Sequence, residues 1–453
     1  MTIIIGAGIS GLAVAYYLQK LGKQCLILEA SDRVGGYLQS VREGNYLFEM
    51  AANSILADTN IVDFLHEIGL TDEILYPNTT SNKRYILKNG RYCALPSSPP
   101  SLLFNSFFSW KTKFKLLKEF RNKTLSPKNE TVAEFFERHF GKEIVEYAVN
   151  PFVMGIYAGN PEKLLIAKTF PQLLEMEKNY GSVIRGLMKT KSGARKLSLN
   201  FKNGMETLPK AIAKIILEKH LSGGFEPPDR YEIKFDTKVI NIVPITNDKN
   251  SVNNHKFCIE TSKGNFFCDT VVITSPSFQT QVFVNQYFTE FSHALQKLQY
   301  PPLTVVHSVF KKAAVGLKLD GFGGLHPKIE NQFSAGAIWT SSVLENRCPD
   351  DEIMLTNFIG GEISPEKAQL SDELLLQNLN KELQNLYKIT EPPVLQRITR
   401  WKQAIPQYDK NMIKTDEIIE TLAEKRIFVA ANWNLGVSLA DAIKKGKELA
   451  EKL

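Results

Sequence analysis

The residues best equipped for chemistry in this chain begin at its sixth position. Gly6-Ala7-Gly8-Ile9-Ser10-Gly11 has the spacing G-x-G-x-x-G, directly after the apolar run at 2–5 and at the start of a helical pattern. In that setting the glycines permit a tight turn, close approach to a pyrophosphate and close packing of helix on strand. The helix start adds unpaired amides and a partial positive charge. Glu29 follows Gly11 by eighteen residues, at the end of a second apolar run, where a carboxylate can accept hydrogen bonds from a ribose. Together these residues point to a bound dinucleotide. In Asp32-Arg33-Val34-Gly35-Gly36-Tyr37, the glycines let the backbone pass close to a ligand and Arg33 can neutralise phosphate charge. Near the other end, Asn432-Trp433-Asn434-Leu435-Gly436-Val437 leads into Ser438-Leu439-Ala440-Asp441, which has the form of a capping box. A helix start aimed at an electron-accepting ring would stabilise the negative charge that develops there. No paired carboxylates or Ser/His/Asp set stand out, so the chemistry rests on a cofactor. The histidines lack metal-ligand spacing and the five cysteines form no CxxC pair, so no metal is expected.

The elements that must position these residues follow the same text. A strand at 2–5, a helix at 10–21 and a strand at 24–28 open a parallel sheet with right-handed crossovers. From 96 to 204 strands fade, helical periodicity dominates and basic residues accumulate. Strand-like alternation returns at 231–243, 256–260 and 265–268, followed by a buried strand at 270–274. Several β-rich segments lie in 301–361, then a helix at 372–386, a strand at 427–430 and a helix at 439–452. The nucleotide-binding unit is therefore expected to be discontinuous, drawn from both ends and the middle.

At 453 residues the chain exceeds a single core, and 43% hydrophobic with 23% charged residues is ordinary globular composition. No span of about 20 uninterrupted apolar residues is present, and the glycine-broken N-terminal apolar stretch makes a poor signal peptide. A reducing, cytoplasmic setting is expected. Much of the net charge of +7 is local: Lys111, Lys113, Lys115, Lys118, Arg121, Lys123 and Lys128 alternate with aromatic and aliphatic residues against one acid, Glu119. The reading adopted is an ordinary helix whose apolar stripe packs inward; the alternative is an interfacial helix on the inner face of the cell membrane. No nucleic-acid motif accompanies the charge.

The R-x-G-G pattern after Glu29 resembles that of flavoproteins such as amine oxidases and carotenoid desaturases, which favours FAD. Over nearly its whole length the chain resembles the oxygen-dependent, FAD-containing protoporphyrinogen oxidase family. The similarity is carried by Pro151-Phe152-Val153-Met154-Gly155-Ile156-Tyr157-Ala158-Gly159, Gly204-Met205-Glu206-Thr207-Leu208-Pro209, Gly321-Phe322-Gly323-Gly324-Leu325, Ala404-Ile405-Pro406-Gln407-Tyr408 and the segment 432–441. The resemblance implies an α/β fold: a Rossmann-type FAD-binding domain (1–80, 205–280, 401–453), a β-rich substrate domain (81–95, 281–400) and an inserted helical region (96–204). It implies six-electron oxidation of protoporphyrinogen IX in three hydride transfers to FAD, with oxygen reduced to peroxide. Coproporphyrinogen III, another amine oxidase or desaturase substrate, or a porphyrin carrier without turnover are the alternatives, and a homodimer is open.

Residue by residue, Arg84 matches an arginine pairing with a substrate propionate, and Gly155 a glycine whose carbonyl faces the methylene bridge. Phe322, Gly323, Leu325 and Phe358 match positions around the macrocycle. Val239 matches a backbone contact to adenine. Gly6, Ala7, Gly8, Ile9, Ser10, Gly11, Glu29, Arg33, Gly36 and Tyr37 are expected at the cofactor. So are Ala51, Asn53, Ser54, Asn432, Gly436, Val437, Ser438 and Leu439. The family's E-x-G-P-x-S segment is here Glu49-Met50-Ala51-Ala52-Asn53-Ser54, without the glycine and proline. No cysteine follows Cys348, so the flavin is expected to be noncovalent.

Overall fold

The computed structural model describes residues 1–96, 105–122, 124–189, 196–218, 231–245 and 255–453. Lys123 and parts of the helical stretch, 97–104 and 190–195, lie outside the described residues.

A five-stranded parallel sheet runs in the order Tyr231–Lys234, Cys25–Leu28, Thr2–Ile5, Thr270–Ile273, Ile427–Val429. Its central strands are continuous runs of Ile, Val and Leu because helices and a second layer cover both faces. Helix Ile9–Lys20 crosses over one face, beside Thr207–Leu217 and Leu439–Lys452. The last helix approaches closely at Gly446, where a Cβ would fall 2.8 Å from that of Ala13. The second layer is the antiparallel sheet Val239–Pro244, Phe257–Thr261, Gly264–Cys268. The strand pattern at 231–243 is thus two strands in different sheets, separated by a turn in which Asp236 has φ 52°.

A seven-stranded sheet takes the order Leu395–Trp401, Leu303–Lys311, Glu352–Gly360, Gly336–Ile338, Gly323–Leu325, Tyr85–Lys88, Arg91–Ala94. Helix Asp372–Tyr387 covers one face through Leu375, Leu379, Leu383 and Tyr387, packed on Val306, Phe310 and Leu355. Since side chains alternate along a strand, the registers put Leu325, Gly336, Phe358, Val305 and Thr399 in one row on the opposite face.

The helical stretch holds Trp110–Glu119, Val132–Phe140, Asn150–Tyr157, Pro171–Tyr180 and Val183–Lys189. Its helices do not reach 204: Leu197–Phe201 is a strand paired with Ile55–Ala57 and Ile74–Leu75. Alternation explains it, with Leu199 and Phe201 fully buried. Helix Trp110–Glu119 also departs from the inward apolar stripe. Trp110 (82%), Phe114 (59%) and Leu117 (54%) are exposed, while Thr112, Lys113 and Glu119 are buried. The polar partners decide the orientation. Glu119 accepts from Ser182 Oγ and from the Val183 and Ile184 amides, and lies 2.9 Å from His139; Thr112 donates to Glu143. Those groups are satisfied only inside, so the aromatics face out. Among the described residues no helix is long and apolar enough to cross a membrane.

Candidate active site

The first half of the site is a cradle at the edge of the parallel sheet. Gly6, at φ 109°, ends its strand, and its carbonyl lies so close to Gly11 that a Cβ there would be 2.0 Å away. Gly8 caps Ile9–Lys20 with no side chain on its first amides and no acid in its first turn. A Cβ at Gly8 would meet nothing within 4 Å, so the helix start faces open space. Gly36 presses on Gly8 from the next loop, where Gly35 donates to the Ala7 carbonyl at 2.9 Å. Arg33 curls over that loop, donating to the Gly36 carbonyl at 2.7 Å. The Glu29 carboxylate accepts from the Ala7 amide at 2.7 Å and from Ser31, and keeps lone pairs for further donors. The Thr237 amide bonds the Glu29 carbonyl, which brings the buried Val239 to this edge.

The segments 50–54 and 432–439 close around the cradle. Without its glycine and proline, the former is pinned by neighbours. Trp401 Nε1 donates to the Met50 carbonyl at 2.8 Å and Asn53 Nδ2 to the Ala51 carbonyl at 3.2 Å. Asn200 Nδ2 donates to the Asn53 carbonyl at 2.8 Å and Ser198 to Ser54. Tyr37 stands edge-on to Trp401, and burial pushes its hydroxyl up to about 12. In the C-terminal segment Tyr408 donates to the Asn432 carbonyl and Trp433 Nε1 to the Ser275 carbonyl, while Thr274 bonds Gly6. Residues 274–275 thereby join the first glycine loop to the last. Gly436 sits at φ 111°, Val437 packs on the core, and Ser438 caps Leu439–Lys452 by accepting from the Asp441 amide at 3.0 Å.

The second half is the face of the wide sheet that carries Leu325 and Phe358. Arg84 stacks its guanidinium 4.7 Å from the Phe322 ring. Gly155 lies against Leu325, a Cβ there falling 3.3 Å from its methyl group, and Gly336 pairs with both Leu325 and Phe358. Gly323, at φ 157°, leaves no room beside the Ala337 carbonyl. Helix Asn150–Tyr157 is fixed by Lys328, whose amide donates to Asn150 at 2.9 Å, and by Gln407, which donates to the Tyr157 carbonyl at 2.9 Å. Contacts that bridge the halves include Thr399 and Trp401 to Met50, and Tyr157 against Tyr408. A separate cavity of about 580 Å³ beside Asn78, Thr80 and Lys312 touches none of these residues.

Two features lie inside quoted motifs but were given no role there. Phe152 and Ile156, exposed on either side of Gly155, form an apolar stripe whose i, i+3, i+4 spacing is visible in the sequence. Glu49 is buried, and its carboxylate gathers Ser40, Asn200 and the Met205 amide; burial raises its pKa. Its donors are scattered through the chain, which leaves no local signal.

Residues 9–453 match the model of the flavin containing amine oxidoreductases. The chain belongs to this family. It is 32% identical to protoporphyrinogen oxidase 2, chloroplastic/mitochondrial, of Arabidopsis thaliana, across 99% of this chain and 92% of that protein. Coproporphyrinogen III oxidase of Bacillus subtilis is 26% identical across 98% and 96%. A structure of putrescine oxidase shares the fold at a TM-score of 0.71 and 14% identity, over 100% of this chain and 98% of that one. The chain is an FAD-dependent oxidoreductase. The cradle fits that cofactor: the open ground before Gly8 and the uncapped helix start suit a pyrophosphate, with Arg33 beside them and Glu29 in reach of a ribose.

Proposed function

We propose that the enzyme oxidises protoporphyrinogen IX to protoporphyrin IX in haem biosynthesis, removing six electrons in three steps. The observation that carries the reading is the row of Leu325 and Phe358 on one sheet face, with Gly155 against Leu325 and Arg84 stacked on the nearby Phe322, residues drawn from four separate stretches of sequence. That face offers a planar cation beside apolar walls, which suits a flat macrocycle with carboxylate arms. The relatives named above support the same substrate class.

In each step a methylene-bridge carbon loses a hydride and the macrocycle loses a proton, two hydrogens per step; of the three protons, two leave ring nitrogens and one leaves the fourth bridge, so that every bridge ends with a single hydrogen. When bound, FAD would supply the hydride acceptor, and its electron pair would pass to oxygen, giving hydrogen peroxide. The chain's residues position and shield. Arg84 holds a propionate, Phe322, Leu325 and Phe358 flank the ring, and the Gly155 carbonyl turns toward the reacting carbon. The helix start at Ser438 stabilises developing negative charge. The sheet face and the cradle are ordered by protein contacts in advance, so binding energy goes to alignment.

Steady-state comparison of protoporphyrinogen and coproporphyrinogen, read by porphyrin fluorescence, tests the assignment. A higher kcat/KM for protoporphyrinogen is expected; a preference for coproporphyrinogen would transfer the assignment to it.

We further propose that the enzyme works in the cytoplasm, resting peripherally on an anionic lipid surface. The outward Trp110, Phe114 and Leu117, flanked by Lys111, Lys118 and Arg121, support this reading.

A further inference from the structure

The proposed substrate wall is one face of the strand Gly323–Leu325, and the opposite face rests on a polar chain that the chemistry above does not use. Tyr92 presses on the strand so closely that a Cβ at Gly324 would fall 2.2 Å from its ring. Its hydroxyl is 2.7 Å from His326 Nε2 and 3.0 Å from the Tyr387 hydroxyl, which in turn accepts from Trp339 Nε1 at 3.1 Å. His326 Nδ1 stands 3.0 Å from the Ser334 carbonyl oxygen, and the Ser334 hydroxyl donates to Glu382 at 2.5 Å. His326, Ser334, Trp339, Glu382 and Tyr387 are all buried.

A carbonyl oxygen only accepts, so His326 Nδ1 carries the hydrogen. Burial holds the pKa of His326 below its ordinary value, and its Nε2 pairs with the Tyr92 hydroxyl, which also bonds the Tyr387 hydroxyl. The chain also reaches the substrate residues through backbone. The Trp339 amide donates to the Phe322 carbonyl at 3.0 Å, and the Ala335 amide, next to Ser334, donates to the Phe358 carbonyl at 2.8 Å. Tyr92 supports Gly324 between Phe322 and Leu325. Three of the proposed macrocycle contacts are therefore fastened to one hydrogen-bonded chain anchored on helix Asp372–Tyr387.

We propose that Tyr92 and His326 are positioning residues: without touching substrate, they set the depth at which Phe322, Leu325 and Phe358 stand behind the macrocycle. This rests on the reading that the face binds a porphyrinogen. The test uses full-length, FAD-loaded protein carrying Tyr92→Phe or Tyr387→Phe, each of which removes one hydroxyl and keeps the ring. Losing the Tyr92 hydroxyl leaves His326 Nε2 unpaired, and a roughly three- to tenfold rise in KM for protoporphyrinogen is expected, with kcat and flavin content unchanged. Adding His326→Leu to Tyr92→Phe removes the orphaned nitrogen and should bring KM part of the way back. Should Tyr92→Phe fail to fold, Tyr387→Phe reads the next link by the same KM-against-kcat split. An unchanged KM, or a KM rise matched by loss of FAD, would overturn the proposal. Wild-type protein without porphyrinogen turnover would overturn the functional reading along with it; wild-type turnover with an unmoved variant would overturn this inference alone.

Discussion

A Cβ at Gly8 would enter open space, whereas one at Gly11 would lie 2.0 Å from the Gly6 carbonyl oxygen. The two glycines therefore have separable duties. Gly8→Ala should fold, since its φ of −70° suits alanine, yet put a methyl group where pyrophosphate must approach; purified protein is expected near wild-type stability but poor in flavin. Gly11→Ala should lose stability and flavin together, which a thermal melt followed by absorbance will separate. Arg84→Ala removes the cation beside Phe322. A charged hydrogen bond contributes about 1.5–3 kcal/mol, so kcat/KM for porphyrinogen should fall roughly 10- to 150-fold while flavin content holds. His307, buried against Phe48, is pushed down to about 4 by desolvation. Between pH 4 and its ordinary value the unfolded chain binds more protons, so stability must rise with pH across that window and level off above it. Denaturant unfolding at pH 5 and pH 7.5 should show the slope in wild type and less of it in His307→Gln; equal slopes would refute the assignment. The glycines were legible because their spacing is local. Tyr92 and His326 were not, because their relation exists only once distant strands pair.

Elements with strong local patterns were read nearly to their ends: the strand Thr2–Ile5, the helix Asp372–Tyr387 and the helix Leu439–Lys452. Errors arose where long-range partners decide. Leu197–Phe201 becomes a strand by pairing with segments more than a hundred residues earlier, and the 231–243 pattern divides at Asp236 between two sheets. Helix Trp110–Glu119 shows the largest reversal. Its hydrophobic residues suggested an inward stripe, but buried partners for Glu119 and Thr112 turn the aromatics outward. Replacing Trp110, Phe114 and Leu117 with serine should therefore leave the melting temperature nearly unchanged and abolish sedimentation with anionic vesicles. Wild-type protein that ignores vesicles would refute the lipid surface.

Across the whole molecule, the parallel sheet takes strands from the start, the middle and the end of the chain, so the cradle is completed only when all three have folded together. That arrangement was foreshadowed by the strand–glycine–helix opening and the glycine-bearing close, which pack on each other through Ala13 and Gly446. The wide sheet gave a weaker signal, since its strands come in an order that no local pattern dictates. The result is two preformed surfaces, one that fits FAD and one proposed here for a flat carboxylate-bearing ring, bridged at Met50–Thr399 and Tyr157–Tyr408. Their cooperation is most directly tested by mixing oxygen-free, FAD-loaded protein with protoporphyrinogen in a stopped-flow cell. The yellow flavin absorbance should bleach as porphyrin fluorescence appears, and should return when oxygen is admitted; a flavin that stays oxidised while porphyrinogen persists would contradict the account.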